Sequence, residues 1–393
     1  MDINKINWVS LKEDTQVAID NEISSNSVVA SLEQDLQLIE EKNIKETPKS
    51  IVHNGKINFG TYKKVTEKLE IRGLKLPFIG IPTPKIISNM RIKSRIAYMF
   101  NIGSYIGMVE FLDSKIFGLA EVIFWNKETG QKFSYHTMMT TRKRFVPTNT
   151  QEAACISFRK TRYIKVNWSR KHKRHSLNFT VRGDKFRPAA KGSFIASFDT
   201  SKTPELLSVT PAPVSSKCSA TWLIPMNITG GINLGKHRKD IKSLPNENGL
   251  ALMAMNRTYL KLHSKSEMMC GLVNVDGKDI IFRFTNTSQD AINNDEYNDN
   301  ILCVNANITP MPPVCITHPL GVNNKWVVQD TENMVDLAFT PISSNNRTLN
   351  ILVIRNVYTT IYGTFEGVLL TQDGEKIVLK NCPGIVKKNL LRL

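Results

Sequence analysis

From Trp326 to Gly384 the chain is a succession of short strand patterns cut by tight turns. It reads Trp326-Val-Val-Gln-Asp330, then Met334-Val-Asp-Leu-Ala-Phe-Thr-Pro341, Tyr362-Gly-Thr-Phe-Glu-Gly367, Asp373-Gly-Glu375 and Asn381-Cys-Pro-Gly384. Runs of this length, bounded by Gly, Pro, Asn and Asp, are strands of an antiparallel sheet rather than helices. The same punctuation recurs upstream. Leu119–Trp125 and Phe133–Thr137 flank Lys127-Glu-Thr-Gly130; Leu272–Val275 and Asp279–Phe284 flank Asp276-Gly277; Thr364–Leu370 and Lys376–Leu379 flank Asp373-Gly374. Asp-Gly and Asn-Gly supply the left-handed positions that hairpin turns need. From His53 onward, where Asn54-Gly55 opens the pattern, no long stretch shows a clean helical period. Many short alternating runs at regular spacing predict barrels or sandwiches.

The first fifty residues differ. They carry a net charge of −5 in a chain whose total is +17, which leaves +22 on the remainder. Ser27 is placed to cap a helix through Val28, Val29, Leu32, Leu36 and Ile39, which Pro48 would end. The expected organisation is an acidic, partly helical or disordered arm over 1–50, a first β lobe over 51–210 and a second over 211–393. Pro204, Pro211 and Pro213 mark the midpoint.

Composition narrows the classes. A hydrophobic fraction of 41% is enough for real cores. The six cysteines are scattered without CxxC spacing, so neither a zinc ribbon nor a redox motif is expected, and free thiols in a reducing compartment are the simpler reading. No metal and no cofactor is expected. The N-terminus lacks an apolar signal region, and the apolar window Ile102–Trp125 carries Glu110, Asp113, Lys115 and Glu121, too many charges for a membrane span. The sequence-level expectation is a soluble, cytoplasmic chain without a transmembrane segment.

Chemistry is sparse. The seven histidines form no HxH or HExxH pattern, and His172 and His175 lie in Lys171-His-Lys-Arg-His175, where neighbouring cations disfavour imidazolium and metal capture. There is no GxSxG, Walker or GxGxxG motif. Glu110 with Asp113, or Glu366, could act in acid–base work only if they point into a cavity, so no catalytic residue is assigned. The segment 159–191 is rich in cations, and Arg159, Lys160, Arg162, Lys165, Arg170, Lys171, Lys173 and Arg174 are candidates for contact with a polyanion such as nucleic acid or an anionic lipid surface. The competing reading is a solvated strand face. Trp125, Trp222, Trp326, Phe339, Tyr362 and Phe365 are candidates for the lining of an apolar ligand cavity, or for a dry core.

Several segments, in order, resemble the domain of unknown function 2804 family. They are Ile51-Val-His-Asn-Gly-Lys-Ile-Asn58, Met90-Arg-Ile-Lys-Ser-Arg95, Ile106-Gly-Met-Val-Glu-Phe111, Phe117-Gly-Leu-Ala-Glu-Val-Ile-Phe124, Asn126-Lys-Glu-Thr-Gly130, Thr210-Pro-Ala-Pro213, Gly230-Gly-Ile-Asn233 and the C-terminal run. The chain departs from the family pattern at Lys93-Ser94-Arg95 and at Leu250–Arg257, where an Asp-Trp-Gly-Arg-Gly-like element is missing. The resemblance implies a mainly β protein with two consecutive lipocalin-like antiparallel lobes, distantly similar to carotenoid hydratase relatives, each able to enclose a hydrophobic ligand. Three functions are compatible with it: a binder of a hydrophobic or amphipathic small molecule, an enzyme acting on a lipid- or isoprenoid-like substrate, or a basic surface that meets nucleic acid or anionic lipid.

Overall fold

The computed structural model describes residues 44–74, 91–115, 117–140, 145–212, 216–241, 243–259, 263–286, 297–351 and 354–392. The helix expected over Ser27–Ile39 lies outside these residues. Ile44–Lys45 pairs with Gly60–Tyr62, so residues 44–50, expected in the arm, are part of the β body.

Two large sheets build that body. The first runs in the order Lys132–Thr140, Phe117–Asn126, Tyr105–Asp113, Ile92–Ile102, Glu247–Tyr259, Cys218–Gly235, Ala189–Ser197, Arg174–Val181, Arg162–Ser169, Glu152–Arg159, every neighbour antiparallel. Its two end strands are consecutive in the chain, and the Arg159 guanidinium donates to the Met138 carbonyl at 2.9 Å across the gap between them. The result is a nearly closed barrel. Hairpins bring sequential strands together, and right-handed twist curls so long a sheet until its edges meet. Ile51, Val65, Leu69 and Ile71 are buried in the barrel core, and Tyr259 donates to the Ile71 carbonyl at 3.3 Å, so the segment before the barrel plugs one of its ends.

The second sheet runs Asn307–Pro310, Ile301–Val304, Lys278–Asn286, His263–Val275, Lys376–Arg392, Ile354–Leu370, Val335–Ile351, Trp326–Asp330, Val314–Thr317 and forms a half-barrel. Its hairpins turn at the predicted Asp276-Gly277 and Asp373-Gly374, with φ of 51° at Asp276, 79° at Gly277 and 76° at Gly374. The lobe boundary expected near residue 210 falls inside the first sheet. Cys218–Gly235 and Glu247–Tyr259 are central strands of the barrel, and the change of sheet comes between Tyr259 and His263. Pro211 lies in a hairpin, paired with Cys218, not in a domain linker.

Alternation decides which side chains fill the barrel. On Arg174–Val181, His175, Leu177, Phe179 and Val181 point inward and are buried, whereas Asn178 and Thr180 face out. The window Ile102–Trp125, too charged for a span, is instead a hairpin of Tyr105–Asp113 and Phe117–Asn126. Among the described residues no helix is long and apolar enough to cross a membrane.

The lobes share a second core. Met99, Met108, Ile123, Trp125 and Leu252 on the barrel's outer wall pack against Cys270, Leu272, Tyr362 and Ile385 of the half-barrel. Each large side chain so buried contributes about 1.5–3 kcal/mol. One irregularity aims the partner strand. In Val335–Ile351, the register with Ile354–Leu370 shifts between Pro341 and Ser343. Before the shift Phe339 stands opposite Phe365, inside the second lobe; after it Arg347 stands opposite Tyr358, on the face toward the barrel. The extra residue, Ile342, thus reverses the strand's parity and turns its odd positions from one face to the other.

Candidate functional site

Two of the buried polar clusters among the described residues are candidate sites. The first lies inside the barrel. The His175 ring is stacked between Tyr98, at a centroid distance of 5.5 Å, and Trp168, at 6.2 Å. All three are at most 1% exposed. His175 Nε2 lies 3.2 Å from the Met253 thioether sulfur, a weak partner. Tyr98 Oη, Trp168 Nε1 and His175 Nδ1 have no hydrogen-bond partner among the described residues, nor do Ser157 Oγ and Thr137 Oγ1. Ser157 and Thr137 lie on the two end strands, Glu152–Arg159 and Lys132–Thr140, that flank the barrel's seam. Burial pushes the His175 imidazole down to about 3 and raises the Tyr98 phenol, so both are neutral at physiological pH. Burial, rather than the cationic neighbours in its sequence, keeps His175 neutral. Around this set the interior is aromatic: Trp168 meets Trp222 edge-on at 6.1 Å, and Phe198 lies 6.2 Å from Trp222.

The second place lies between the lobes, continuing the apolar layer. Glu110 and Glu121 are cross-strand partners on the barrel's outer wall. The Lys387 ammonium and Arg95 Nε, the latter at 2.6 Å, pair with Glu110. Arg347 Nε lies 3.1 Å from Glu121 Oε1, and Tyr358 donates to Glu121 Oε2 at 3.2 Å. Lys387 also stands 4.7 Å from the Tyr358 ring centroid. Two adjacent buried carboxylates cannot both be ionised without strong compensation. Burial raises the Glu110 carboxyl, but the charges of Arg95 and Lys387 overcome it and hold the group below its ordinary value. For Glu121 burial wins over Arg347, and the carboxyl lies above its ordinary value. His136, opposite Glu121 on the next strand, is pushed down to about 4 by burial and by Arg347, Arg162 and Arg187.

The six aromatic cavity candidates are distributed over three places. Trp222 is in the barrel interior. Trp125 and Tyr362 stack on each other at 6.0 Å between the lobes, with Trp125 Nε1 donating to Ser343 Oγ at 3.1 Å. Phe339 and Phe365 meet at 4.8 Å within the second lobe, and Trp326 lies there against His318 at 4.1 Å. The cations of the basic segment are divided between opposite ends of the strands. Arg159, Lys160 and Arg162 stand at one end, while Arg170, Lys171, Lys173 and Arg174 stand at the other, and Lys165 lies between on the outer face. Arg170 is tied to Glu205 at 2.7 Å and covers Phe198, and Lys173 is paired with Asp199 at 2.8 Å. They do not form one groove. Of the acid–base candidates, Glu110 is ion-paired between the lobes, Asp113 is bound to Lys115 at 3.0 Å, and Glu366 is exposed.

Sequence reasoning passed over Tyr98, Glu121, Arg347, Tyr358 and Lys387. A signal was present for Glu121, and a like one for His175, which the sequence reading weighed only beside its cationic neighbours. Glu121 shares the strand parity of Ile123 and Trp125, and His175 that of Leu177 and Phe179, so each polar group was placed on a buried face.

Two solved structures align along most of the chain. A crystal structure from Nitrosomonas europaea, provisionally named ATTH, is 11% identical and covers 80% of this chain and 98% of its own, with a TM-score of 0.46. Kievitone hydratase from Nectria haematococca is 7% identical and covers 76% of this chain and 88% of its own, with a TM-score of 0.38. At these scores neither protein's chemistry is carried over. No curated protein matches the chain by sequence. The family profile that does match, over residues 41–393, is that of the domain of unknown function 2804, and the chain belongs to that family.

Proposed function

We propose that the chain binds an amphipathic small molecule in its first lobe, with the polar group of the ligand at Tyr98, Trp168 and His175 and its apolar body against the surrounding aromatics. One observation carries this reading: three polar atoms on neighbouring rings, fully buried in an aromatic interior, have no partner among the described residues. Leaving a buried donor or acceptor unmade costs about 1–3 kcal/mol. A hydroxyl or carbonyl of a bound molecule would satisfy the Tyr98 and Trp168 donors and the imidazole at once, while the apolar body gains from the lining. The unpartnered Ser157 and Thr137 hydroxyls beside the seam mark a polar approach through the gap between the end strands.

The test is organic extraction of the purified chain followed by mass spectrometry, before and after delipidation and re-incubation with a lipid extract. A stoichiometric molecule is expected, and its retention should fall at least tenfold in Tyr98→Phe/His175→Phe. Absence of any bound molecule after re-incubation, or equal retention by the double variant, would refute the assignment.

A second reading is catalysis on a lipid- or isoprenoid-like substrate. It is supported by the opposite displacement of Glu110 and Glu121, since neighbouring carboxyls pushed apart in acidity are the asymmetry that proton transfer uses. Incubating the extracted molecule with the protein in heavy water tests it. Deuterium incorporation that disappears in Glu121→Gln supports catalysis, and no incorporation leaves binding as the function.

A further inference from the structure

The barrel end away from the Ile51–Ile71 plug gathers cations from three separate stretches of chain. Lys160 comes from the turn after Glu152–Arg159, Arg182 from the end of Arg174–Val181, and Lys236, Arg238 and Lys239 from the turn after Cys218–Gly235. Strand register explains why such distant residues meet. Arg162 pairs with Val181, Val181 with Ala190 and Ala190 with Leu234, so the three turns stand side by side on one rim. The Arg182 N–H donates to the Thr161 carbonyl at 2.9 Å and fixes the first two together. With Thr161, Gly183 and His237 the cations line a cleft of about 360 Å³.

The charge on this rim is uncompensated. No carboxylate lines the cleft, and none of its five cations is in an ion pair among the described residues. Two other surface cations of the barrel are matched, Lys173 with Asp199 at 2.8 Å and Arg187 with Asp184. The acid nearest in sequence, Asp240, directs its carboxylate to the His237 N–H at 2.7 Å. Like charges held together repel, and a concave site concentrates their potential, so the rim is stabilised by a multivalent anion.

We propose that this cleft binds a phosphate-bearing small molecule. A carboxylate would offset only one of the five cations, whereas a phosphate monoester or diphosphate offsets two or three. The planar forks of Arg182 and Arg238 suit phosphate oxygens, and Lys160, Lys236 and Lys239 add mobile point charges. The volume falls in the range of small-molecule sites, about 300–1,000 Å³. The cleft uses none of Tyr98, Trp168 or His175 and stands independently of the ligand proposed for the barrel interior.

Isothermal titration of the full chain with inorganic pyrophosphate tests the assignment. We expect one saturable site that weakens at least tenfold in Lys160→Ala/Arg182→Ala and is unchanged in Lys171→Ala, an exposed cation at the opposite end of its strand. Lys236→Gln/Lys239→Gln repeats the test from a different segment if the first pair misfolds. Sedimentation with phosphatidic acid vesicles identifies the source of the phosphate. Sedimentation displaced by pyrophosphate assigns a lipid headgroup, and pyrophosphate binding without sedimentation assigns a soluble ester. Absence of saturable pyrophosphate binding, or equal weakening by Lys171→Ala, overturns the proposal.

Discussion

Replacing Lys387 by Met should destabilise the protein by about 3–4 kcal/mol at neutral pH, although the two side chains have similar volumes. The Lys387 side chain is 6% exposed and its partner Glu110 8% exposed, so the variant leaves a carboxylate without one of its two compensating charges. Removing one member of a buried pair costs roughly 3–5 kcal/mol. Arg95, still 2.6 Å from Glu110, keeps the cost near the lower end. Loss of the ammonium at 4.7 Å from the Tyr358 ring adds about 0.5–2 kcal/mol. Residues 42–393 form one compact unit, and unfolding entropies of about 2.1 cal/mol/K per residue convert the loss to a drop of roughly 4–6 °C. Scanning calorimetry of wild type, Lys387→Met, Glu110→Gln and the double variant measures it. Glu110→Gln/Lys387→Met, with neither charge, should be more stable than Lys387→Met alone. The pH dependence has a definite sign. The Glu110 carboxyl is held below its ordinary value of 4.5, so its contribution is present above that pH and is lost as the pH falls through the folded value. The gap between wild type and Lys387→Met should therefore narrow on acidification. A melting temperature within 1 °C of wild type, or a double variant no better than the single, would refute the reasoning.

Other expectations follow from neighbouring geometry. Glu121 is raised by burial, so the fold loses stability as pH rises through that group's folded value; the stability of Glu121→Gln relative to wild type should improve between pH 4 and pH 7 in urea titrations, and the opposite trend would contradict the assignment. Deleting Ile342 should restore the original parity beyond Pro341, turn Arg347 away from Glu121 and cost about 3 kcal/mol or more, while a wild-type urea midpoint would show that the bulge does not set the docking face. Tyr98→Phe removes an unpartnered buried hydroxyl and should raise the stability of ligand-free protein by about 1 kcal/mol, and a clear loss instead would show that the hydroxyl has a partner. A methyl group on Gly271 would stand 2.3 Å from two ring atoms of Phe282; Gly271→Ala should cost about 1–3 kcal/mol and be partly rescued by Phe282→Leu, as chemical denaturation would show.

The sequence by itself determined the strands, the hairpin turns and the mainly β class. These rest on local causes: side chains alternate between two faces within one strand, and Asp276-Gly277 or Asn54-Gly55 adopt left-handed turns without help from elsewhere. Even the burial of His175 was legible, because parity with Leu177 and Phe179 is a property of one strand. What tertiary structure alone decided is which faces meet. Lys387 reaches Glu110 across 277 residues, and Tyr358 reaches Glu121 across 237. Nothing local to either carboxylate names its partner. The boundary between lobes was decided in the same way, since Cys218–Gly235 and Glu247–Tyr259 join the barrel through pairings with strands at Ala189–Ser197 and Ile92–Ile102. The basic segment shows the limit most plainly. Arg159 to Arg174 are close in sequence, but a strand about 3.3 Å long per residue carries them to opposite ends of the barrel. Lys160 finds its cationic neighbours instead at Arg182 and Lys236, which the register of the neighbouring strands brings beside it.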